Sequence, residues 1–291
     1  MIDQQIDGMV ELPSGALFVR RQGRRRGLPG VVLEAGGGAT SAWWAHVQPV
    51  LAETTEVLAY DRAGLGRSAG WVPSEVDAAH TAARLGALLD RAASGGPWVL
   101  VGHSLGALHA QYFAAVEPGR VAGVVLVDPT ADRPNGDGPA RLALAAFVRG
   151  VQAAAWLRRG RAPSPFRGLV RELPEPARRE AEAALEDPRH LAAFVRELRR
   201  IGRIRRELAQ HPFPRRLPLL VVSAGQRRDA RTQARLLAEH RRRAGLADAG
   251  RAELIDEATH GSILTAPDCA RSLAAKIADF TASCRSTPGC D

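Results

Sequence analysis

The sequence is poor in several features that would point to particular kinds of protein. Lysine occurs once, as Lys276, among 40 basic residues. Three cysteines, Cys269, Cys284 and Cys290, stand late in the chain without metal-ligand spacing, which argues against a disulfide framework. No run of about 18 apolar residues occurs, so no membrane-spanning helix is predicted. The polar amino terminus lacks the basic start and apolar run of a signal peptide, and we expect a cytoplasmic protein without a membrane partner.

Positive charge is in excess, and it is unevenly distributed. The formal net charge is +9, from 40 basic and 31 acidic residues. Residues 139–216 contain 18 arginines and 8 acidic residues, a net of +10, whereas the remainder has 22 basic and 23 acidic residues, a net of −1. Because the excess is local, attraction of the whole chain to nucleic acid explains it poorly, and no nucleic-acid partner is expected.

Length and hydrophobic patterning predict the fold class. A chain of 291 residues that is 45% apolar can bury one sizeable α/β core. Short β-branched runs alternate with amphipathic segments, which predicts a mostly parallel sheet with helices on both faces. The predicted strands are 17–20, 31–34, 57–60, 98–101, 124–127, 219–222 and 253–255, and the predicted helices are about 74–93, 105–116, 230–244 and 267–284.

The alternation is interrupted by a long helical segment. Residues 139–216 are mostly helical in pattern and separate two predicted strands of one sheet. We therefore predict a core formed by 1–138 and 217–291 and an arginine-rich cap formed by 139–216. An apolar stripe from Leu142 to Trp156 would either dock this cap on the core or line a substrate entrance.

One short motif carries chemistry. The segment Gly102–Gly106 reads Gly-His-Ser-Leu-Gly, which is the pattern G-x-S-x-G, and it lies between a predicted strand and a predicted helix. In that context the pattern predicts a nucleophile elbow, a tight turn that lifts Ser104 to the edge of the sheet. Glycines are needed there because side chains at those positions would collide with the neighbouring strand or helix.

A serine hydroxyl needs a base to take its proton. Of the eight histidines, His260 is the one in a loop after the last predicted strand, in the sequence Glu-Ala-Thr-His-Gly-Ser. The others stand beside the elbow, or in helical or arginine-rich stretches, where packing or solvent exposure is the simpler interpretation. The chain order Ser…His therefore predicts His260 as the base.

Two aspartates are alternatives for the acid that orients the histidine. Asp128 ends the strand before the helical segment, and Asp229 follows the strand after it. Both satisfy the order Ser, Asp, His. Asp229 stands among arginines at the start of a helix, where capping the helix is a simpler role, and this setting favours Asp128.

A reaction at Ser104 also needs N–H donors for a developing oxyanion. One is expected from Leu105, the residue after the serine. The other is expected from Gly37, in the three-glycine turn that follows an early strand. A phosphate-binding loop is a weaker interpretation of these glycines, because neither the P-loop nor the G-x-G-x-x-G spacing is present.

Taken with these motifs, the segment Tyr60–Ser68 resembles the D-x-x-G-x-G-x-S turn of the α/β-hydrolase superfamily. The resemblance extends over nearly the whole chain. It implies the α/β-hydrolase fold with a helical cap between strands six and seven, Ser104 as nucleophile, His260 as base, and Gly37 with Leu105 as the oxyanion hole. No metal or other cofactor is implied.

Two departures from the family pattern concern the site. The family often has His-Gly where this sequence has Ala35-Gly36, so the hydrogen bonds of that histidine are absent. The triad acid usually follows strand seven with G-x-x-D spacing, whereas Gly225 and Asp229 are one residue further apart. A serine at the elbow argues against the haloalkane dehalogenases and epoxide hydrolases of the superfamily, which have aspartate there.

The resemblance implies a serine hydrolase that cleaves a carboxylic ester or thioester through an acyl-enzyme on Ser104. The alternatives are a lactone, amide or carbon–carbon bond hydrolase on the same scaffold, and a ligand-binding protein with slow turnover. The expected partner is a small acyl substrate. Six arginines within 196–206 suggest either a solvated helix face or attraction of an anionic or carrier-bound substrate.

Overall fold

A central sheet organises the fold. The computed structural model describes residues 6–68, 77–92, 95–131, 146, 150, 165–226 and 229–284. In these residues eight strands form one sheet in the order β1-β2-β4-β3-β5-β6-β7-β8. The strands are β1 Ile6–Val10, β2 Leu17–Gln22, β3 Gly30–Glu34, β4 Val57–Tyr60, β5 Trp98–His103, β6 Val121–Val127, β7 Leu219–Ala224 and β8 Gly250–Ile255.

The direction of the strands divides the sheet. β1 pairs with β2, and β2 with β4, in antiparallel fashion. From β4 through β3, β5, β6, β7 and β8, every neighbouring pair is parallel. The predicted fold class, a mostly parallel sheet flanked by helices, is confirmed. The sequence pattern did not reveal β1, which lies at the edge of the sheet.

Helices cover both faces of the sheet. They are α1 Gln48–Ala52, α2 Ala78–Ala92, α3 Leu105–Val116, α4 Ala177–Glu186, α5 Pro188–Gln210, α6 Ala230–Ala244, α7 Ser262–Thr265 and α8 Pro267–Ser283, with short 3-10 segments between some of them. Alternate residues of one strand enter different hydrophobic clusters: Val31 and Leu33 join the cluster of α8, and Val32 joins the cluster of α2 and α3. Successive side chains of a strand point to opposite faces of the sheet, so a strand covered on both faces buries neighbouring residues in two different clusters.

The predicted helical segment lies between β6 and β7 in the chain, where α4 and α5 are found. Both helices bury apolar side chains in the clusters of the core, for example Leu185 on one face of the sheet and Ile204 on the other. The stripe from Leu142 to Trp156 lies outside the described residues. The division into a core and a cap over 139–216 stays a prediction.

None of the helices in the described ranges is long and apolar enough to cross a membrane.

The parallel pairing brings the ends of several strands together. The carboxyl ends of β3, β5 and β6 meet at one edge of the sheet, because these strands are parallel neighbours. Gly37 follows the first of them, Ser104 the second and Asp128 the third. Three of the predicted site residues are thus placed together by strand order alone.

His109 on α3 gives the fold a pH dependence that can be measured. Burial, together with the nearby Arg62 charge, lowers the pKa of His109 to about 3. In the unfolded chain the imidazole binds a proton below about pH 6.5. Since the unfolded state then binds more protons than the folded state, stability decreases as the pH falls from about 6.5 towards 3.

We therefore expect His109→Leu, which cannot titrate, to flatten the pH dependence of the unfolding free energy. The slope between pH 6 and pH 4 should fall by up to about 1.4 kcal/mol per pH unit, the value for one proton. Urea unfolding of both chains across this range measures the slopes. Equal slopes would contradict the assignment of a neutral buried imidazole.

Candidate active site

Ser104 stands at a tight turn between β5 and α3. Its backbone is in a left-handed conformation that is uncommon for a residue with a side chain, with φ 54° and ψ −114°. The turn is held by three backbone hydrogen bonds. The Ser104 N–H donates to the Val127 carbonyl (3.0 Å), and the Ser104 carbonyl accepts from the N–H groups of Ala107 and Thr130 (both 3.2 Å). Such bonds compensate a local strain of order 1–3 kcal/mol.

The two flanking glycines are required by close approach. A Cβ atom on Gly102 would collide with the carbonyl of Gly106, and one on Gly106 would collide with the carbonyls of Glu34 and Ala35. The strand, the helix and the neighbouring turn therefore approach one another only because both positions lack a side chain.

His260 lies beside the serine. Its Nε2 is 3.0 Å from Ser104 Oγ. Its Nδ1 is hydrogen-bonded to Asp128 Oδ2. With Nδ1–H donating to the carboxylate, Nε2 is left as the acceptor facing the serine hydroxyl. The imidazole is about half exposed (46%), whereas the Asp128 side chain is buried (1%).

Asp128 is fixed by its own backbone and by β7. Its φ is 41°, again in the left-handed region. Its N–H donates to the Val222 carbonyl (2.7 Å), and its Oδ1 accepts from the Ala224 N–H (3.1 Å). One carboxylate oxygen is thus held by the sheet, and the other is left for His260.

Asp229, the alternative acid, stands elsewhere. It precedes α6 as its N-cap residue, and its Oδ1 accepts from the Thr232 N–H (2.7 Å). That backbone hydrogen bond lowers the pKa of this exposed carboxyl. The geometry brings Asp128, and not Asp229, to the imidazole.

The three-glycine turn lies against the first turn of α3. A Cβ atom on Gly37 would be 3.4 Å from the Leu105 side chain, so the two residues are immediate neighbours. Leu105 is the first residue of α3, where backbone N–H groups have no acceptor within the helix. Both residues line the same cavity as Ser104.

The cavity above Ser104 has a volume of about 640 Å³ and a mostly apolar lining. Trp43 contributes to it, whereas the neighbouring Trp44 is fully buried and is not among the lining residues. The apolar members of the lining are Ala39, Trp43, Leu105, Pro129, Ala131, Leu169, Phe194, Leu198, Ile201 and Leu236.

The arginines within 196–206 are absent from the described lining of this cavity. Arg203 pairs with Asp77 and Glu207, both at 2.8 Å. Arg205 donates to the Ala131 carbonyl. Two of the six thus have partners within the fold, and Ala131, the partner of Arg205, itself lines the cavity.

A buried ion-pair network next to the site was missed by sequence reasoning. Arg62 binds Glu34 and Glu197, each at 2.7 Å, and Tyr60 donates to Glu34. Burial opposes the charge of Arg62, but the carboxylates of Glu197 and Glu34 raise its pKa. Burial raises the pKa of Glu34. Arg62 stands within the recognised Tyr60–Ser68 turn, whereas nothing local marks Glu197 within its arginine-rich segment.

Three further polar residues, two beside the serine and one beside the three-glycine turn, were also missed or given only a packing role. Thr130 Oγ1 is 3.4 Å from Ser104 Oγ. His103 Nε2 donates to the His260 carbonyl (3.0 Å) and thereby connects the two loops. His190 is buried, which lowers its pKa and favours the neutral ring. Its Nδ1 accepts from the Gly66 N–H at 3.0 Å.

No cluster of three or more metal-ligating side chains occurs in the residues that the structure describes.

Comparisons with known proteins add the following. Residues 31–270 match the model of the Alpha/beta hydrolase family. An AB hydrolase superfamily protein of Gibberella zeae is 38% identical over 90 residues, which are 31% of this chain and 28% of that protein. The candidate carbamate hydrolase RutD of Klebsiella pneumoniae is 36% identical over 102 residues, 35% of this chain and 38% of that protein. The chain thus aligns with well under half of each relative.

Among solved structures, a mutant of a candidate epoxide hydrolase from Pseudomonas aeruginosa is similar in fold. Its TM-score is 0.75 at 19% identity, and the alignment covers 97% of each chain. At this identity the likeness concerns the fold.

Proposed function

The chain belongs to the alpha/beta hydrolase family, and on that premise we propose that it is a serine hydrolase acting on carboxylic esters or thioesters. The observation that carries the proposal is the hydrogen-bonded series Ser104 Oγ, His260 Nε2, His260 Nδ1 and Asp128 Oδ2. A nucleophile, a base and an acid in contact are the arrangement that activates a serine hydroxyl. Asp128 is the proposed acid, and Asp229 caps a helix.

The first half of the reaction acylates the serine. Ser104 Oγ attacks the carbonyl carbon of the substrate while His260 Nε2 takes the hydroxyl proton. The tetrahedral intermediate then collapses, the bond to the leaving oxygen or sulfur breaks, and the imidazolium returns the proton to the leaving group. The Asp128 carboxylate keeps the tautomer and stabilises the imidazolium, without itself being protonated.

The second half releases the acid. A water molecule attacks the acyl carbon, and His260 takes one of its protons. Collapse of the second tetrahedral intermediate breaks the bond to Ser104 Oγ, which regains its proton from the imidazolium. The products are a carboxylic acid and a free enzyme.

The negative oxygen of each intermediate is assigned to the N–H groups of Gly37 and Leu105. Support comes from the contact between these residues and from the location of Leu105 at the amino terminus of α3. A helix amino terminus favours negative charge, and fixed N–H donors need no reorganisation when that charge develops.

A serine nucleophile distinguishes this chain from the chemistry that the name of one structural neighbour describes. Epoxide opening on this fold uses an aspartate at the elbow, according to the family pattern given above, whereas this chain has Ser104. The second candidate substrate is an acyl compound whose leaving group is an amine. The similarity to RutD, a candidate carbamate hydrolase, supports this alternative.

The cavity favours an uncharged, apolar acyl group. Its described lining is dominated by aliphatic and aromatic side chains and includes no lysine or arginine. If the arginines within 196–206 attract an anionic or carrier-bound substrate, they therefore act on the part of that substrate that lies outside the cavity.

The proposal predicts covalent labelling of Ser104 by a fluorophosphonate probe. Wild-type enzyme should be labelled stoichiometrically, Ser104→Ala should not be labelled, and His260→Ala should be labelled at least about 10³-fold more slowly, because the base is lost. Mass spectrometry of the labelled peptide identifies the site. Label that persists in Ser104→Ala would refute the mechanism.

The choice of acid predicts a large difference between two conservative variants. Asp128→Asn should lower kcat by about 10³- to 10⁴-fold, because the amide no longer fixes the imidazole tautomer. Asp229→Asn is the matched control and should stay within about two-fold of wild type, since Asn also caps helices well. Steady-state kinetics on a p-nitrophenyl ester measure both. The reverse order of effects would transfer the role to Asp229.

The acyl and leaving groups can be tested separately. Along the p-nitrophenyl series from acetate to hexanoate, kcat/KM should rise roughly four-fold per methylene, the equivalent of about 0.8 kcal/mol of burial.

Hexanoyl-CoA carries the same acyl group on an anionic carrier. If the arginines attract that carrier, its KM should rise when salt is increased, whereas KM for the neutral hexanoate ester should not. Equal salt responses would exclude attraction by the arginines, and a flat chain-length series would exclude an apolar acyl pocket.

A further inference from the structure

The three-glycine turn is held by a set of buried side chains that the proposed mechanism leaves without a task. Arg62, Glu34 and Glu197 are 5%, 2% and 3% exposed. All three guanidinium nitrogens of Arg62 donate to carboxylates. Nη1 donates to Glu34 (2.7 Å), Nε to Glu197 Oε1 (2.7 Å) and Nη2 to Glu197 Oε2 (3.0 Å). One arginine therefore connects a carboxylate of β3 with a carboxylate of α5.

The same side chains bind the backbone of the turn on both sides of Gly37. Arg62 donates to the Ala35 carbonyl and, at 2.7 Å, to the Gly36 carbonyl. Glu197 Oε2 accepts from the Gly38 N–H at 3.0 Å. The backbone on either side of Gly37 is thus fixed by side-chain partners, which restricts the direction of the Gly37 peptide group.

One face of α5 is shared between this turn and the cavity. His190, Phe194 and Glu197 follow one another at i, i+4 and i+7, which is the spacing of a single helix face. His190 Nε2 donates to the Gly38 carbonyl at 2.9 Å. Phe194 is within 3.5 Å of the Cβ position of Gly37 and also lines the cavity. The helix that forms part of the cavity wall therefore also binds the turn.

A buried charge network is a costly way to join a helix to a sheet. Apolar side chains of similar volume often stabilise a fold as well or better, because the desolvation of the charges is avoided. What apolar side chains cannot do is bind two carbonyls and one N–H group of a glycine-rich turn. The planar fork of arginine and the two oxygens of a carboxylate suit that task.

We propose that Arg62 and Glu197 are positioning residues that hold the turn so that the N–H of Gly37, together with that of Leu105, faces the oxyanion of the intermediate. This inference rests on the proposed serine-hydrolase function. It makes α5 a fixed part of the catalytic apparatus, since the helix contributes a carboxylate to the arrangement of the oxyanion hole.

Glu197→Gln tests the proposal with the smallest change. One carboxylate oxygen becomes an NH₂ group that faces N–H donors. Arg62 then loses an acceptor in either orientation of the amide, and Gly38 also loses its acceptor when Oε2 is the atom replaced. We expect the acylation rate constant of p-nitrophenyl hexanoate, measured from the burst phase, to fall about 10- to 100-fold, while KM changes by less than about three-fold. Binding of an alkyl trifluoromethyl ketone, which forms a tetrahedral adduct, should weaken by the same factor as acylation. Binding of the matching methyl ketone should not change.

The matched control is Glu207→Gln on the same helix. Like Glu197, Glu207 pairs with an arginine, here Arg203 (2.8 Å), and accepts a backbone N–H, here that of Ala78 (2.8 Å). Neither partner belongs to the three-glycine turn. Its acylation rate and its affinity for both ketones should equal those of wild type. A loss as large as that of Glu197→Gln would mean that any disturbed ion pair on α5 has this effect, and would overturn the proposal.

Two further variants keep the test informative if Glu197→Gln folds poorly. Arg62→Lys retains the charge but loses the fork, and should show the same loss of acylation and of trifluoromethyl ketone binding. The combination of Glu34→Gln, Arg62→Met and Glu197→Met removes every charge of the network, so no buried charge is left without a partner. Thermal unfolding and circular dichroism identify which variants are folded.

The outcomes separate this inference from the proposed function. A wild-type enzyme that is not labelled on Ser104 would overturn the proposed function and the inference with it. A wild type that is labelled, alongside folded variants that acylate within about two-fold of its rate, would overturn the positioning role alone. Loss of both ketones to the same extent would assign the network to the shape of the cavity and would also overturn it.

Discussion

The parallel pairing of β3, β5 and β6 is the constraint on which the site depends. Parallel neighbours end at the same edge, so the turn after each of the three strands contributes a different group to one small volume. The first turn contributes backbone N–H groups, the second a hydroxyl and the third a carboxylate. The imidazole comes from a loop far along the chain, and the carboxylate hydrogen bond orients it.

Backbone strain is concentrated where these groups meet. Among the described residues, Ser104 and Asp128 are the two non-glycine residues with a positive φ, and both are hydrogen-bonded to His260. Each strained residue also donates its own N–H to a neighbouring strand, Ser104 to β6 and Asp128 to β7. The regular hydrogen bonding of the sheet thus compensates for conformations that isolated turns would not maintain.

The arginine excess divides into structural and exposed parts once the fold is known. Arg62 is buried in an ion-pair network, and Arg203 and Arg205 hold α5 to its surroundings. Arg199 and Arg206 are exposed on the same helix. Net charge alone does not distinguish these roles, because an arginine serves equally as a solvated side chain and as a bridge between buried carboxylates.

The sequence by itself determined the fold class and identified Ser104 as the candidate nucleophile, because both signals are local: strand and helix periods occur within a few residues, and the glycines around Ser104 mark a tight turn. It also indicated His260 through chain order. The tertiary structure decided which aspartate contacts the imidazole, since Asp128 and Asp229 both follow a strand and satisfy the chain order, and their distances from His260 are set only when the chain folds. It alone revealed Glu197, which stands 135 residues from Arg62. A hydrogen bond across that separation leaves no periodicity or spacing in the sequence, because its geometry exists only when α5 packs against the turn after β3.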